Sequence, residues 1–278
     1  MQAVSAWTPP TGTLGALVAA ARVRATALAA RRAELERRAV DRVAASEPPA
    51  FALALRRADV AVIAEVKRRS PSKGDIAPDL SAAVQATRYA DGGAAALSIL
   101  TEPDRFGGDI GDLDAARAAV AVPLLKKDFN VDPLQVVEAA AHGASAVLLI
   151  ARALPPAALA ALARDARALG LEPLIEIRDE AELEAALRAE AMVIGVNNRN
   201  LETLAIDPAT GDRMLPLVPS ACVAVWESGI RTVEDVRRAA AAGADAVLVG
   251  SSVSASADPS AAVRALTGVV RRAGRRGA

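Results

Sequence analysis

The sequence predicts an α/β fold, a closed (β/α)8 barrel with an additional N-terminal helical segment. Eight apolar segments with strand character alternate with amphipathic helical patterns along the chain. From Lys67 to Gly250 the pattern repeats with a period of about 26 residues, which is typical of a βα unit with short connections. The strands are apolar on both faces, as parallel strands covered by helices are. Eight such units fit one closed TIM barrel.

The predicted strands are separated by loops and helices of similar length. An open doubly wound sheet is the alternative arrangement for the same pattern. No G-x-G-x-x-G follows the first strand, which argues against that alternative. We predict strands over residues 60–67, 95–100, 122–127, 146–151, 172–177, 192–197, 222–227 and 245–250.

Helical patterns lie between the strands, and several end in a glycine placed as a C-terminal stop. We predict helices over 80–91, 133–141, 155–169, 180–189 and 233–241. Ahead of the first strand, residues 14–43 have helical spacing and many arginines. We expect this segment to close the bottom of the barrel or to flank its mouth, and Pro48 and Pro49 mark its end.

The whole chain is predicted to form one domain. A helical extension covers 1–48, the barrel covers 49–266, and a basic tail covers 267–278, with a solvated end over 271–278. The chain of 278 residues is 53% hydrophobic and only 2% aromatic, so the core is built from aliphatic side chains.

Composition argues against several classes of function. The formal net charge is +0, which gives no support for a nucleic-acid or membrane-surface partner. One cysteine, Cys222, excludes an internal disulfide, and with a single histidine, His142, a zinc site is not expected. The apolar stretch 14–21 is too short to span a membrane and lacks the flanks of a signal peptide. We therefore expect a cytoplasmic protein without a metal.

Polar side chains stand at the carboxyl ends of five of the predicted strands. An isolated buried charge is costly, so a polar set recurring at strand ends is not expected for stability. Side chains alternate between the faces of a strand, and all strands of a parallel barrel end at the same rim. The set is therefore predicted to meet in one mouth, an active site, although some members could instead form structural ion pairs. It comprises Glu65, Lys67, Lys127, Glu176, Asn197, Arg199 and Glu227.

Glycine-containing loops follow the last two predicted strands, where barrels of this kind usually bind phosphate. Ser228 and Gly229 follow the seventh strand, and Gly250 and Ser251 follow the eighth. The turn over 68–74 adds basic and hydroxyl groups, or is an ordinary solvated loop. With two lysines and an arginine nearby, we expect a substrate with a phosphate and a carboxylate.

Two aromatic residues, Phe106 and Phe129, lie in loops that follow strands. Because the chain has only three phenylalanines and one tyrosine, this pair suggests an apolar slot for a flat ring. Local packing within the loops explains the pair equally well.

Seven motifs together resemble the indole-3-glycerol phosphate synthase family of tryptophan biosynthesis. They stand at successive strand ends, in the right order, and cover about residues 50–265. The motifs are IAEVKRRSPSKG from Ile63, LSILTE from Leu97 with FGG from Phe106, LKKDF from Leu125 with VDP from Val131, EPLIEI from Glu172, IGVNNRNLET from Ile194, ESGI from Glu227 and VGSS from Val249.

The resemblance implies a reaction and a role for each mouth residue. The family closes an indole ring on an anthranilate joined to a deoxyribulose 5-phosphate, with loss of carbon dioxide and water. Lys127 is then the general acid for ring closure, Glu176 acts in dehydration, and Lys67 binds the leaving carboxylate. The resemblance also implies that Glu65 and Asn197 orient the sugar, that Glu227 and Ser228 complete the polar floor of the site, and that Arg199 assists with the carboxylate. It implies that the arene is held by Phe106, Phe129, Leu148, Leu201 and Pro71. The phosphate would be held by Ser70, Gly229, Gly250 and Ser251. No cofactor or metal is implied.

The chain departs from the family pattern at three positions and in its leading arm. Asn130 stands at a usually aliphatic position, Asn200 replaces an aspartate, and Trp226 replaces a small residue and is expected to face the helices. The arm over 7–40 matches poorly, which makes substrate affinity the property most affected. A related phosphate-binding barrel such as phosphoribosylanthranilate isomerase, which works with a cysteine and an aspartate, and a non-catalytic paralogue remain alternatives. The partner is a small phosphorylated substrate, and the chain is expected to be a monomer or a weak homo-oligomer.

Overall fold

The protein is a closed barrel of eight parallel strands in a computed structural model that describes residues 7–45 and 50–272. The strands are β1 Ala61–Val66, β2 Arg69–Ser70, β3 Gly74–Asp75, β4 Ala96–Leu100, β5 Leu124–Lys127, β6 Ala146–Ile150, β7 Glu172–Ile177, β8 Val193–Asn197, β9 Val223–Glu227 and β10 Ala246–Val249. The order around the barrel is β1-β10-β9-β8-β7-β6-β5-β4, and β2 and β3 form a separate hairpin.

Helices follow the strands and cover the outside of the barrel. The predicted helices are all present within two residues at each end, and the predicted N-terminal helix is split into α1 and α2 by a short 3-10 turn, Ala29–Arg31. The helices are α1 Gly12–Leu28, α2 Arg32–Ala45, α3 Phe51–Ala54, α4 Ala82–Asp91, α5 Pro103–Phe106, α6 Ile110–Ala119, α7 Pro133–Ala141, α8 Pro156–Ala168, α9 Glu180–Arg188, α10 Ala209–Met214, α11 Val233–Ala242, α12 Ser251–Ser254 and α13 Pro259–Arg264.

The closed barrel confirms the predicted fold and excludes the open sheet. Each strand hydrogen-bonds to two neighbours, and β1 pairs with both β4 and β10, which leaves no sheet edge. Aliphatic side chains that point into the barrel, among them Ile63, Leu125 and Leu174, are fully buried. They fill the interior below the polar strand ends, where Glu65, Glu176 and Glu227 are buried.

The N-terminal arm packs on the barrel through an apolar face. Helix α1 buries Leu14, Leu17 and Val18, and both α1 and α2 contact α7. The run Gly12–Val43 has a window of mean hydropathy 1.3 and is long enough to cross a membrane by length and composition alone. The apolar residues of α1 that face the barrel are buried, so part of this hydropathy serves packing.

The carboxyl-terminal segment returns to the bottom of the barrel. Val60 N donates to Val269 O at 2.8 Å, and Asp59 forms an isolated bridge with Val270. Arg271, expected to be solvated, instead forms a largely buried ion pair with Asp245. The prediction for the tail was therefore wrong at this residue, because a buried carboxylate lies within its reach. Residues 273–278, and the predicted stop at Pro48 and Pro49, lie outside the described residues.

Candidate active site

Lys127 lies at the centre of the barrel mouth, between two carboxylates. Its Nζ is 3.7 Å from Glu176 Oε2 and 3.7 Å from Glu227 Oε2. Both glutamates are about 2% exposed, and Lys67 pairs with a third buried carboxylate, Glu65. The structure thus brings together at one end of the barrel the lysines and glutamates that the sequence placed on different strands.

The pKa values in this cluster follow from burial and from an excess of carboxyls. Burial opposes the charged form of Lys127, but the charges of Glu227, Glu176 and Glu65 outweigh it and raise its pKa. Burial is also the largest cause at Glu227, where it raises the pKa to about 8 against the opposing effect of Lys127. The charges of Glu176 and Glu65 add to burial in raising the pKa of Glu227.

Two glycines leave room for the charged side chains. A Cβ at position 195 would overlap Glu227 Oε1 and lie 2.9 Å from Leu174 Cδ2. A Cβ at position 250 would overlap Glu65 Oε1 and lie 3.0 Å from Lys67 Nζ. Gly195 and Gly250 are therefore required by the close approach of the mouth residues and not by backbone conformation.

Asn197 and Ser228 join the ends of two neighbouring strands. Asn197 Oδ1 accepts hydrogen bonds from Ser228 Oγ at 2.9 Å and from Arg199 N at 2.9 Å. Ser228 has a φ of 66° and Gly229 a φ of 90°, so two successive residues are left-handed. The Trp226 indole N–H donates to Ser228 O at 3.1 Å. Trp226 faces the helices as predicted, and it also holds this strained turn in place.

The half-buried Arg199 lies beside this group. Its Nη1 donates to Leu204 O at 3.0 Å. Burial lowers the pKa of Arg199, while the charge of Glu65 opposes that change. The guanidinium is thus an electrostatic neighbour of the mouth carboxylates, in agreement with its predicted place.

The two phenylalanines predicted to form a slot are neighbours. The ring centroids of Phe106 and Phe129 are 6.3 Å apart with an interplanar angle of 36°. Leu148 is buried and pairs with Leu174, which places it on the inner face of the barrel, and Leu201 is partly buried against the core. Pro71 lies in the turn of the β2–β3 hairpin. The two rings thus form an apolar surface in the loops after β4 and β5.

The predicted phosphate-binding residues lie at the rim after β1, β9 and β10. Ser251 is the first residue of the short helix α12, directly after Gly250. Ser70 is 8% exposed, and its hydroxyl has no hydrogen-bond partner within the described part of the chain. Arg68 and Arg69 of the same turn form ion pairs with Asp112 and Asp75. Their guanidinium groups are therefore engaged in the protein.

Sequence reasoning missed a group of charges that holds the phenylalanine loops. Glu102 is fully buried, and its carboxylate accepts the backbone N–H groups of Asp104, Arg105 and Phe106. Arg24 of α1 pairs with Asp128 at 2.7 Å and with Glu102 at 3.4 Å. Glu102 directly before Pro103 was an available signal, because an acidic residue before a helix-starting proline is a capping pattern. The role of Arg24 had no signal in the local sequence.

A second polar space adjoins Glu176 on the side of α1. This cavity of about 220 Å³ is lined by residues of α1, β6, β7 and the loop after β8, among them Leu14, Glu176 and Leu201. It also contains Glu182, whose pKa is raised to about 7, chiefly by burial and then by Asp179, while its bond to Arg178 N opposes the shift. Glu182 was not predicted from the sequence.

Three other residues discussed from the sequence, Asn130, Asn200 and His142, make polar contacts within the protein. Asn130 Nδ2 donates to Leu148 O at 2.9 Å, and its Oδ1 accepts from Lys126 Nζ at 3.2 Å. Asn200 Oδ1 accepts from Glu202 N at 2.8 Å. His142 Nδ1 lies 2.7 Å from Asp114 Oδ2. In the described ranges no cluster of three or more His, Cys, Asp or Glu side chains is arranged to hold a metal.

Comparison with known proteins identifies close relatives of this chain. A sequence model of the family described as indole-3-glycerol phosphate synthase matches residues 17–266. The enzyme of that name from Nocardioides sp. is 54% identical over 214 residues, 77% of this chain and 82% of the relative. The one from Parafrankia sp. is 48% identical over 241 residues, 86% of this chain and 87% of the relative. The family match begins at residue 17, so it includes most of the arm that the motifs left unmatched.

Solved structures share the fold at low sequence identity. The 3-hexulose-6-phosphate synthase from Salmonella typhimurium has a TM-score of 0.60 at 18% identity, covering 74% of this chain and 96% of the other. Thiamine phosphate pyrophosphorylase from Pyrococcus furiosus has a TM-score of 0.57 at 17% identity, covering 76% and 95%. At such identities the likeness shows the barrel alone.

Proposed function

The chain belongs to the indole-3-glycerol phosphate synthase family, and from that premise we propose the part that each mouth residue takes in the reaction. The enzyme is a carboxy-lyase of tryptophan biosynthesis that acts on a phosphorylated anthranilate-sugar. It converts 1-(2-carboxyphenylamino)-1-deoxyribulose 5-phosphate to indole-3-glycerol phosphate by ring closure, decarboxylation and dehydration. This identification favours the synthase over the isomerase considered from the sequence.

Lys127 is the proposed general acid for ring closure. The arene carbon attacks the C2 carbonyl of the sugar, and the carbonyl oxygen must gain a proton as the new bond forms. The observation that carries this assignment is the position of Nζ, 3.7 Å from both Glu176 and Glu227 in a buried cluster. These carboxylates raise the pKa of Lys127, so its amine holds the proton that this step requires.

Glu176 is the proposed acid or base of the dehydration. Its Oε2 is buried and lies 3.7 Å from Lys127 Nζ, but it accepts no hydrogen bond within residues 7–45 and 50–272, so it can accept one from a substrate group. After carbon dioxide has left, the former carbonyl oxygen departs as water and the ring gains its double bond. A carboxyl beside Lys127 can take the proton that this elimination releases or supply the one that the leaving hydroxyl needs.

The cations on the other side of the mouth are proposed to bind the substrate carboxylate. Lys67 and Arg199 would contact it until it leaves as carbon dioxide, and Glu65 holds the Lys67 ammonium through their ion pair. Asn197 and Ser228, joined at 2.9 Å, would orient the sugar hydroxyls. Glu227 is proposed to complete the polar floor, and burial raises its pKa to about 8 against the opposing charge of Lys127.

Two further groups at the rim are proposed to fix the ends of the substrate. Phe106 and Phe129, with Leu148, Leu201 and Pro71, would hold the arene against Lys127. Ser70, Gly229, Gly250 and Ser251 would hold the phosphate. The unsatisfied hydroxyl of Ser70 and the helix that starts at Ser251 support this assignment. Three fixed points, carboxylate, arene and phosphate, bring the reacting carbons together.

Catalysis is proposed to need no metal or cofactor, and the enzyme to act in the cytoplasm without a nucleic-acid or membrane partner. The protonated lysine and the glutamates supply the acid and base that the reaction requires.

The experiment is a fluorescence assay of indole product formation with protein dialysed against EDTA, compared with the same protein given Mg²⁺ or Zn²⁺. Equal rates are expected. Substrate binding without any product would favour the non-catalytic paralogue, and a rate restored only by a metal would contradict the metal-free mechanism.

A further inference from the structure

The start of α1 is bound to the loop after β8 by one residue, Glu202. Its Oε1 accepts hydrogen bonds from Thr11 N at 2.7 Å and from Thr11 Oγ1 at 3.2 Å. Its backbone oxygen accepts from Thr13 N at 3.2 Å. Gly12, with a φ of 57°, lies so close that a Cβ there would be 2.6 Å from Glu202 O. The two backbones are thus in direct contact.

Helix α1 lacks a cap of its own. The N-cap Thr11 makes no side-chain capping bond, and the first turn carries no acidic residue. The first N–H groups of a helix need acceptors, and a negative charge near them is favourable. Glu202, 191 residues away in sequence from Thr11, supplies both. The start of the arm therefore depends on the position of the loop after β8, and the loop depends on the arm.

Arg152, in the loop after β6, completes this contact. Its Nη2 is 2.9 Å from Glu202 Oε1, and its Nη1 donates to Thr8 O at 2.6 Å. Trp7 Nε1 donates to Arg152 O at 3.3 Å. The Arg152 and Glu202 side chains are 29% and 25% exposed, so the pair is partly shielded from water. We call the Arg152–Glu202–Thr11 contact the latch.

The latch adjoins the proposed substrate site. Arg152 and Glu202 line the cavity next to Glu176, together with Leu201. Leu201 directly precedes Glu202, and Arg199 belongs to the same loop, where Asn200 Oδ1 accepts from Glu202 N at 2.8 Å. A displacement of Glu202 is therefore transmitted to two residues proposed to bind the substrate.

We propose that Arg152 and Glu202 are positioning residues, and that the latch fixes the loop carrying Arg199 and Leu201 and so sets the affinity for the carboxylated arene of the substrate. The inference rests on the binding role proposed above for Arg199 and Leu201. The Thr11 N–H, followed by Arg152, lowers the pKa of Glu202, which keeps the carboxylate charged at neutral pH.

A double-mutant cycle tests the proposal. Arg152→Met and Glu202→Gln are each expected to raise KM by about 3- to 10-fold, the scale of coupling between contacting residues, with kcat within about twofold. The KM of the double variant should not exceed the higher of the two single-variant values, because each single substitution already breaks the same contact. Arg152→Lys keeps the charge and should recover part of the KM change.

The matched control is the Arg167–Glu190 pair, which joins side chains at 3.4 Å at the other end of the barrel. Arg167→Met and Glu190→Gln should leave KM unchanged. The proposal would be wrong if the latch variants had the same KM as the control variants. It would also be wrong if the KM effects of the two single latch variants multiplied in the double variant.

Arg199→Met and Leu201→Ala separate this inference from the proposed function. If they raise KM and the latch variants do not, the latch alone is wrong. If they leave KM unchanged, the binding roles assigned to them are wrong, and the latch loses its proposed effect on affinity.

Discussion

At the scale of single residues, two adjacent lysines show how the face of a strand decides the use of a side chain. Lys126 points away from the lumen and is fully buried, where its Nζ meets Glu138 at 2.7 Å, Asn130 at 3.2 Å and Gln135 O at 3.2 Å. All three protons of that ammonium have acceptors. Lys127 points into the mouth and has carboxylates only at 3.7 Å. Its protons are available to a substrate.

Replacement of Lys127 by alanine is expected to lower kcat by at least about 10²-fold, the usual contribution of a general acid. The steady-state rate of indole formation measures it. Lys73→Ala is the control, because Lys73 is exposed in the turn of the β2–β3 hairpin. A kcat for Lys127→Ala close to that of Lys73→Ala would remove the role of general acid from Lys127.

The raised pKa of Glu227 makes stability depend on pH. In the folded protein this carboxyl keeps its proton up to a pKa of about 8, whereas the ordinary value is 4.5. The folded state therefore binds more protons than the unfolded state between these values, and stability falls as the pH rises through that window. The cause is the burial of a carboxyl that the Lys127 charge only partly compensates.

Glu227→Gln is expected to flatten this dependence, because the amide is neutral at every pH in the window. Denaturant unfolding at intervals from pH 5 to pH 8 measures the free energy of unfolding of both proteins. The exposed Glu234→Gln variant serves as control and should follow the wild type. Parallel curves for the wild type and Glu227→Gln would show that Glu227 is ionised in the folded protein.

At the scale of elements, short helices and turns at the rim place side chains that the strands do not carry. The four-residue helix α5 holds Phe106 at its end, and Glu102 caps it with bonds of 2.7 to 3.2 Å to three N–H groups. Arg24 ties Glu102 to Asp128, whose Oδ1 also accepts from Phe129 N at 2.7 Å. The arm thus contacts both phenylalanine loops, which fits the expectation that it affects substrate affinity.

The phosphate assignment is best tested in α12. Ser251→Asp puts a negative charge at the first residue of that helix and is expected to raise KM by at least about 10-fold through repulsion of the phosphate. The effect on kcat should be small, because the phosphate is bound alike in the ground and transition states. An alanine at Gly250 is a poorer test, because its Cβ would displace Glu65 and Lys67.

The control for Ser251→Asp is Ala257→Asp, an exposed position after the same helix. It adds the same charge outside the proposed site, and its KM is expected to stay near that of the wild type. A KM that rises equally in both variants would show a general electrostatic effect, and one that rises in neither would place the phosphate elsewhere.

At the scale of the whole molecule, closure of the barrel brings the residues of the site together. Lys127, Glu176 and Glu227 come from β5, β7 and β9, which are not neighbours around the barrel. They meet because alternate strands point side chains into the same layer of the lumen. The barrel fixes where the strand ends meet, and the residues at those ends decide which chemistry is possible there.

Most of the exposed large apolar side chains of the described residues lie on different elements, and only Val40 and Val43 share a helix, α2. They include Val23 of α1, Leu53 of α3 and Val84 of α4. Single exposed apolar residues are normal on a monomer. We therefore expect one chain of 28.4 kDa in solution, measured by light scattering after gel filtration. A mass of two chains that persists on dilution would contradict this prediction.

Much of the fold and the site could be predicted because each depends on a short-range pattern. Alternation along a strand predicted the face of Lys127 and Glu176, and the glycine loops indicated where a phosphate is proposed to bind. The resemblance added Leu148, Leu201 and Pro71 to the slot predicted from Phe106 and Phe129, and it added the division of roles. The sequence did not predict the raised pKa of Glu227, since that depends on how many charges meet in one buried volume.

The sequence by itself determined the eight βα units, the polar residues at strand ends and the family. Only the tertiary structure decided which distant groups hold them in place. Arg24 and Asp128 are 104 residues apart, and Thr11 and Glu202 are 191 residues apart. Periodicity reports the environment of a side chain within its own element, but an ion pair between elements depends on how those elements pack, and packing is a property of the closed barrel as a whole.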